Sequence, residues 1–505
     1  MTRLGPSVDG SLATLLVIGV GVAALSFGTL SRQSAGTESI VAGTVGEVPG
    51  GSDAGPATAQ GAVQSGVSAK PGQKTSTGGG RSPIASGAAA TTACAAGRNG
   101  GATDRGVTAT SIKLGATIVS SGIGASFLGP VRTGMTAVKD SVNRAGGICG
   151  RQLELKLVDD GWDAQLGYSY IRNLVEGDKV FALAVVPSSE GLRIASNEGY
   201  FAKTHTPVIG TDGMLNAQYV DPWVWPVAAS TVSTMHIMAA DAYNHRRARQ
   251  FSIVYDSQYH FGVEGAYAFN AAVKRLTGSP IPGSENPGCG GRFCAIAAGK
   301  ENYASENKTY MDACTSGGDS SKFCDFVALL LEPTEALTFT QAGFRRFPAG
   351  IGLAQTLFSR SFAKACESAC DQAMAWTGYN PPIEALASQP KVSAYVQAVQ
   401  GVDPTVDVFN QFLEGGYAGM QLVVAALQKA GPHLTRDGVA TLMDSMTFDN
   451  GLSTPLTWRR GNHYANVSMQ PFAIQYQGGF NGFRAVGGGW QKDPWVGQDT
   501  NGSGG

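Results

Sequence analysis

Residues 106–118 read GVTATSIKLGATI, residues 120–165 read SSGIGASFLGPVRTGMTAVKDSVNRAGGICGRQLELKLVDDGWDAQ, and residues 179–192 read KVFALAVVPSSEGL. Apolar residues alternate at Ile112, Leu114, Ala116 and Ile118, the period of a strand, until Gly122 and Gly124 break the pattern. Val131, Met135, Val138 and Val142 then recur at helical spacing, which predicts an amphipathic helix that Gly146 and Gly147 end. Leu153, Leu155 and Leu157 give a second strand closing in Asp159-Asp160-Gly161, and Leu166, Tyr170 and Leu174 mark a second helix. Residues 180–186 are an unbroken apolar run, as expected of a central parallel strand buried on both faces. Strands separated by helices in this way make a right-handed, doubly wound sheet, and ligands of such sheets lie outside the carboxyl ends of the strands. Here those ends are Ser120-Ser121, Asp159-Asp160, Ser188-Ser189-Glu190 and, after the strand PVIG, Thr211-Asp212.

The strand-helix rhythm restarts after Asp221-Pro222-Trp223, with a helix from about Thr231, the strand FSIVYD and a helix over residues 263–276, so a second lobe begins near Ser230. Residues 278–325 carry Pro, Gly, Asn and four cysteines and read as a disulfide-stapled surface insertion. The strand FVALLLEP resumes the sheet, AMAWTGY is a further strand, two long helical stretches follow, and SMQPFAIQYQGGF is a β-rich end.

At the start of the chain, residues 11–30 (SLATLLVIGVGVAALSFGTL) carry no charge and have the length of a bilayer-spanning helix. Residues 1–32 are therefore an export signal or a membrane anchor; the long apolar core and the single Arg3 favour an uncleaved anchor. Residues 33–105 are Gly, Ala, Ser and Thr with scattered Pro, too poor in apolar side chains to fold, and form a flexible tether. As a random coil such a tether averages about 45–50 Å end to end. Residues 492–505 are expected to be a disordered tail.

Of the 505 residues, 43% are hydrophobic, enough for sizeable cores, and Lys plus Arg (37) nearly balances Asp plus Glu (38). A net charge of −1 gives no electrostatic reason to expect nucleic acid as a partner. All eight cysteines follow the apolar segment, and an even count in an exported chain favours disulfides. Three close couples stand out, Cys289/Cys294, Cys314/Cys324 and Cys366/Cys370, which leaves Cys94 with Cys149 by elimination; spacing alone does not fix the connectivity. The competing reading is a metal site, disfavoured because no Cys-x-x-Cys and no His at ligand spacing accompanies any couple. No metal and no cofactor is expected.

Enzyme motifs are absent. The chain has no Gly-x-Ser-x-Gly elbow, no phosphate-binding Gly-rich loop with Lys, and no His-Glu-x-x-His, and its six histidines are scattered. Asp159 and Asp160 are adjacent in a strand and point to opposite faces, so they do not make a shared catalytic pair. The expectation is a protein that is not an enzyme.

The opening βαβαβ stretch resembles the start of the type I periplasmic solute-binding proteins, the branch that includes the leucine/isoleucine/valine receptors of ABC importers. The resemblance rests on a strand, a Gly-rich turn, a helix, the turn made by Asn143, Gly146, Gly147, Ile148, Gly150 and Arg151, and a strand ending in Asp-Asp. It extends over residues 106–491. It implies two doubly wound α/β lobes joined by three hinge crossings, with residues 106–229 and 372–452 in lobe 1 and residues 230–371 and 453–491 in lobe 2. It also implies a solute-binding receptor that closes on a small polar molecule, such as an amino acid or an amide, and delivers it to the permease subunits of an ABC importer, with the membrane a further partner through the N-terminal segment. The alternatives on the same fold are a ligand sensor without transport and a structural relative that binds nothing.

By this resemblance the solute contacts are Ser188, Ser189, Glu190, Thr211 and Asp212 from lobe 1, and Tyr259, Phe261, Glu332, Thr334 and Ser359 from lobe 2. For Ser189 helix capping is an equal alternative to a ligand contact. The family's lobe-2 acid, which meets an ammonium, has no counterpart near Ser359, Arg360 and Ser361; this departure weakens the case for an α-amino acid, and the alternatives for Arg360 are to meet a carboxylate or, more commonly, to face solvent. Trp223 and Trp225 read as core or hinge packing.

Overall fold

The alternating pattern at the start of the chain becomes β1 (Ser111–Ile118), and the helical spacing that follows becomes α1 (Val131–Arg144). Next come β2 (Gln152–Asp159), α2 (Ala164–Arg172), β3 (Ala182–Ala184), α3 (Ser189–Asn197), β4 (Val208–Thr211) and β5 (Val224–Pro226). The five strands form one parallel sheet in the order β2-β1-β3-β4-β5. β3 and β4 are buried along their whole length, whereas β2, at the edge, exposes alternate residues. The chain is described here by a computed structural model over residues 98–315, 323–344 and 347–500, all within a single compact unit. The apolar segment at residues 11–30, most of the expected tether, and Cys94 lie outside the described residues.

The turn between α1 and β2 shows why its residue types are needed. The Asn143 side-chain amide bonds both the N–H (2.8 Å) and the carbonyl (3.0 Å) of Leu153, holding the strand to the helix end. Arg151 is fully buried, and its guanidinium donates to the carbonyls of Thr108 (2.7 Å), Gly101 (2.9 Å), Pro432 (3.0 Å) and Asn99. Residues 98–105, expected to belong to the flexible tether, are thus docked on the first lobe, because an arginine with five donors needs carbonyl acceptors when it leaves water. Cys149, beside this turn, is disulfide-bonded.

The second sheet begins after α4 (Thr231–His245), whose N-terminus is capped by Ser230, with the hydroxyl accepting the Ser233 N–H at 2.9 Å. It contains β6 (Phe251–Asp256), β7 (Phe293–Ile296), β8 (Phe326–Leu330), β9 (Gly350–Leu353) and β10 (Met374–Thr377) as parallel neighbours. Its helices include α5 (His260–Thr277), α6 (Ala304–Thr315), α7 (Pro333–Gln341) and α8 (Arg360–Cys366). The long α9 (Gln411–Ala430) returns to the first sheet, and β11 (Thr447–Phe448) pairs with β12 (Leu456–Thr457). The chain then adds β13 (Ser468–Tyr476), β14 (Phe480–Ala485) and β15 (Gln491–Lys492) antiparallel at the β10 side. Among the described residues no helix is long and apolar enough to cross a membrane.

Three expectations are corrected. Residues 278–325 do not merely interrupt the sheet: Phe293 and Ile296 are buried in β7, paired with β6, and Tyr310 of α6 bonds the buried Ser252 hydroxyl at 2.7 Å. Cysteines and turn residues masked a short strand and a helix there. β10 belongs to the second sheet, so the chain leaves that sheet after Thr377, later than residue 372. The tail is ordered to residue 500, because Asp493 is buried against Ser233 (2.6 Å) and His236 (3.0 Å), and Asp499 pairs with Arg275. Disulfides join Cys289 to Cys294, Cys314 to Cys324 and Cys366 to Cys370.

α9 lies against α1 and β4 at glycine-to-backbone distance. A Cβ on Gly416 would stand 2.7 Å from the Val131 carbonyl, and one on Gly210 would stand 2.6 Å from the Gly419 carbonyl. This helix therefore sits close over the sheet end where β4 stops.

The connections between the sheets are knotted by Asn466. Its buried amide donates to the carbonyls of Val227, just after β5, at 3.2 Å and of Gly378, just after β10, at 3.5 Å, while Asn466 itself lies on the third connection. Trp458 and His463, on the same connection, bond the carbonyls of Pro226 (3.0 Å) and Val224 (2.6 Å), and Trp225 stacks on His463. Trp225 is thus hinge packing. Asn466→Ala leaves two buried carbonyls without their donor and should lower the unfolding free energy by about 1–3 kcal/mol, read as a shift in denaturant midpoint at unchanged slope.

Candidate functional site

The carboxyl ends of β2, β3 and β4 face α5 and the turn before it, and the contacts there close the two lobes on each other. Asp160, at the end of β2, accepts the Ser188 hydroxyl at 2.9 Å and the Trp162 N–H at 3.0 Å. Trp162, held at a positive φ of 69° after the turn, packs edge-on against Phe127 of its own lobe and turns a ring face to the second lobe. That ring stacks on Tyr259 with centroids 4.3 Å apart and lies 5.7 Å from Phe261, while its N–H donates to the Ser189 hydroxyl at 3.2 Å. Glu190, in the first turn of α3, accepts the His260 backbone N–H at 2.9 Å and meets the His260 ring at 2.8 Å, with Arg193 at 3.4 Å. Five residues named from the sequence, Ser188, Ser189, Glu190, Tyr259 and Phe261, therefore come together around Trp162.

Trp162 itself is the residue that sequence reasoning missed. Its signal was its place directly after Asp159-Asp160-Gly161, a turn at the carboxyl end of a strand, which is the side on which doubly wound sheets hold their ligands. Further interlobe contacts flank the stack. The Asn216 N–H donates to Glu264 at 2.8 Å, Gln411 donates to Gln355 at 3.0 Å, and Asp407 accepts the Ser361 N–H at 2.9 Å. Arg360 stands over the Phe409 ring at 4.5 Å.

The remaining sequence candidates divide. Thr211 donates to the Gln218 amide carbonyl, and Asp212 accepts the Gln218 amide at 2.8 Å and the Met214 N–H at 3.2 Å. Glu332 caps α7 in a reciprocal box with Glu335, Thr334 donates its N–H to Glu332 at 2.9 Å, and Ser359 caps α8 by accepting the Phe362 N–H at 3.1 Å. Glu332 and Ser359 thus work as caps, and Thr334 is among the residues that Glu332 caps.

Between the lobes, toward the hinge, a cavity of about 20 Å³ remains, room for about one water molecule. Of the residues named from the sequence, Asp212 lines it. Its other polar walls are Tyr379, Gln355 and Gln411, each at the end of a strand or the start of a helix and recognisable only once the topology places those ends together. Among the described residues no group of three or more His, Cys, Asp or Glu is arranged to hold a metal.

The electrostatics of this face are acidic. Burial pushes the Asp160 carboxyl up to about 6 against the hydrogen bonds that favour its charge, and pushes Asp212 up to about 7, with the Glu190 charge adding to the effect. Asp256 rises to about 6 and Glu264 to about 7, again mainly through burial. For Glu190 burial also acts upward, but the hydrogen bonds and charge of His260, with Arg193, bring it below the ordinary glutamate value.

A family model described as periplasmic binding protein matches residues 111–291 and 320–479. The chain belongs to that family. Among solved structures, a fatty acid ABC transporter substrate-binding protein from Thermomonospora curvata superposes with a TM-score of 0.63 at 18% identity, covering 81% of this chain and 98% of its own. A possible leucine/isoleucine/valine-binding protein from Rhodopirellula baltica gives 0.61 at 17%, covering 75% and 96%. A type 1 periplasmic binding protein from Bordetella pertussis gives 0.59 at 12%, covering 74% and 99%. Identities this low speak for the fold: this binding protein has the type I architecture. No curated protein matches it by sequence.

The raised carboxyls set a pH dependence for the binding protein. Between about pH 4, where the unfolded groups lose their protons, and about pH 7, where Asp212 and Glu264 lose theirs, the folded chain holds more protons, so stability falls as pH rises. Glu190 acts oppositely, its contribution being present above the ordinary glutamate value and lost as pH falls below it. The melting temperature should be higher at pH 5 than at pH 7.5. Asp212→Asn should raise the pH 7.5 value by roughly 2–4 °C and narrow the difference, as measured by calorimetry.

Proposed function

We propose that this binding protein captures a small polar solute between its lobes outside the cytoplasm and delivers it to the permease of an ABC importer, held near the membrane by the N-terminal apolar segment. The carrying observation is the interlobe face itself: two sheets present strand ends to each other across three chain crossings, and a buried cavity lies where they meet. Family membership supports the extracytoplasmic receptor role, and the likeness to the Thermomonospora curvata protein, which serves an ABC transporter, supports delivery to a permease.

Closure follows from the contacts already described. The Trp162 stack, the Glu190–His260 pair and the Gln355–Gln411 bond exist only when the lobes meet, so a solute touching both lobes favours the closed form by the difference in its contacts between the two states. Ser188, Ser189, Glu190, Tyr259 and Phe261 are assigned to the gripping surface around Trp162, with Thr211 shaping the Asp212 loop through Gln218. Glu332, Thr334 and Ser359 contribute by fixing the helices that carry lobe 2 of the cleft.

The test is a thermal-shift screen of the full-length protein in mild detergent against amino acids, amides, ureas and small carboxylates and amines, with mass spectrometry of whatever co-purifies. A raised melting temperature with a specific solute, accompanied by compaction in small-angle scattering, is expected; no shift with any solute and nothing bound would refute the receptor role. Trp162→Ala should open the lobes and weaken binding of that solute at least tenfold while leaving the fold intact by circular dichroism.

A further inference from the structure

The cavity at the hinge end of the cleft has a chemistry that narrows the solute. Its walls are largely apolar, including Val131, Val185, Pro187 and Phe412. Two polar atoms in them have no partner among the described residues. One is Oδ2 of Asp212, a residue 8% exposed, and the other is the hydroxyl of Tyr379, a residue 3% exposed; both residues line the cavity. The other Asp212 oxygen is already saturated by the Met214 N–H and the Gln218 amide, so the loop is fixed and presents the remaining oxygen.

The surroundings are acidic. Asp160, Glu190, Asp256 and Glu264 are buried near the interlobe contacts, and Glu414 is buried near Tyr379. The basic groups that meet them are His260 and Arg193, and both are engaged by Glu190. Among the described residues no Lys or Arg lines the cavity. A solute carboxylate there would meet Asp212 with no cation beside it, whereas a group with several N–H donors and a positive charge would supply what both unpartnered oxygens lack.

We propose that the solute carries an ammonium group on a compact apolar body, and that Asp212 and Tyr379 receive that group at the hinge end of the cleft. The proposal rests on the solute-receptor reading above and specifies its ligand class. Asp212 supplies the charge and Tyr379, on the crossing after β10, a second acceptor; the cavity of about 20 Å³ takes the ammonium group itself, and the apolar walls meet the body as the lobes part to admit it. Because Asp212 stands on lobe 1 and Tyr379 on the crossing after β10, a cation held by both also braces the hinge.

The test uses matched compounds, namely isobutylamine, isobutanol and isobutyrate on one four-carbon skeleton and valine as isobutylamine bearing an added carboxylate, repeated on the hexyl and benzyl skeletons. They are titrated calorimetrically into the dialysed full-length protein at pH 7.5. The amines are expected to bind at least tenfold tighter than the matched alcohols and carboxylates, with at least a tenfold loss in Asp212→Asn and a smaller loss, about threefold or more, in Tyr379→Phe. Asp212→Asn keeps the acceptor for Met214 and Gln218, and Tyr379→Phe keeps the ring, so two independent variants report even where one folds poorly. Preferred binding of a carboxylate or an alcohol overturns the charge assignment, preferred binding of valine overturns the simple amine as the ligand class, and either outcome leaves the receptor role standing. Amine binding that neither variant changes overturns the site. Failure of every compound, together with no shift in the wider solute screen, overturns the receptor reading itself.

Discussion

Everything in this molecule that involves two lobes depends on three chain crossings being held as one unit, and Asn466 is the side chain that does so. A buried amide has two N–H donors; here they go to carbonyls on the other two crossings, so none of the three can shift alone without stranding a buried polar group. Trp458 and His463 repeat the arrangement along β5. The hinge is therefore stiff against separation of its strands, and lobe motion is left to bending and twisting of the bundle as a whole. That constraint brings the strand ends of one sheet opposite those of the other.

Across the gap, the balance of forces is unusual for a protein interior. Aromatic stacking of Trp162 on Tyr259 and Phe261 is favourable in any solvent state of the cleft, whereas the buried carboxyls oppose closure once ionised. The Glu190–His260 pair offsets part of that repulsion by giving one acid hydrogen-bond donors from the other lobe. Asp160 is held by the Trp162 N–H of its own turn and by the Ser188 hydroxyl from the loop after β3, Asp256 by the Gln258 N–H of its own turn, and each keeps one oxygen without a partner among the described residues. A face built this way stays shut readily only when something relieves the charge.

The fold was legible because its signals are local. Alternation at Ile112 to Ile118 and the spacing of Val131, Met135 and Val138 report which side of each element is dry, and they do so without reference to any distant residue. β7 was not legible, since Phe293 to Ile296 is a four-residue edge strand among cysteines in Gly-rich surroundings, too short for its period to show. The order of residues 492–500 was equally hidden: KDPWVGQDT is mostly polar with Pro and Gly, the composition of a loose tail, yet Asp493 is fixed by Ser233 and His236, about 260 positions away. Composition describes what a segment can do alone, and this one is held by something else.

The same division runs through the site. The amino-acid sequence by itself determined the βαβ rhythm, the polar strand ends from Ser188 to Glu190 and at Thr211-Asp212, and the absence of familiar enzyme motifs, because strand ends and turn chemistry are written within a few residues. Only the tertiary structure decided that Trp162 reaches across to Tyr259, that Tyr379, Gln355 and Gln411 wall one cavity with Asp212, and that Glu332 and Ser359 serve as helix caps. The cavity and the stack join residues separated by dozens to hundreds of positions. They are set by how two sheets pack around a common hinge, a global balance of burial and hydrogen bonding that no local pattern records.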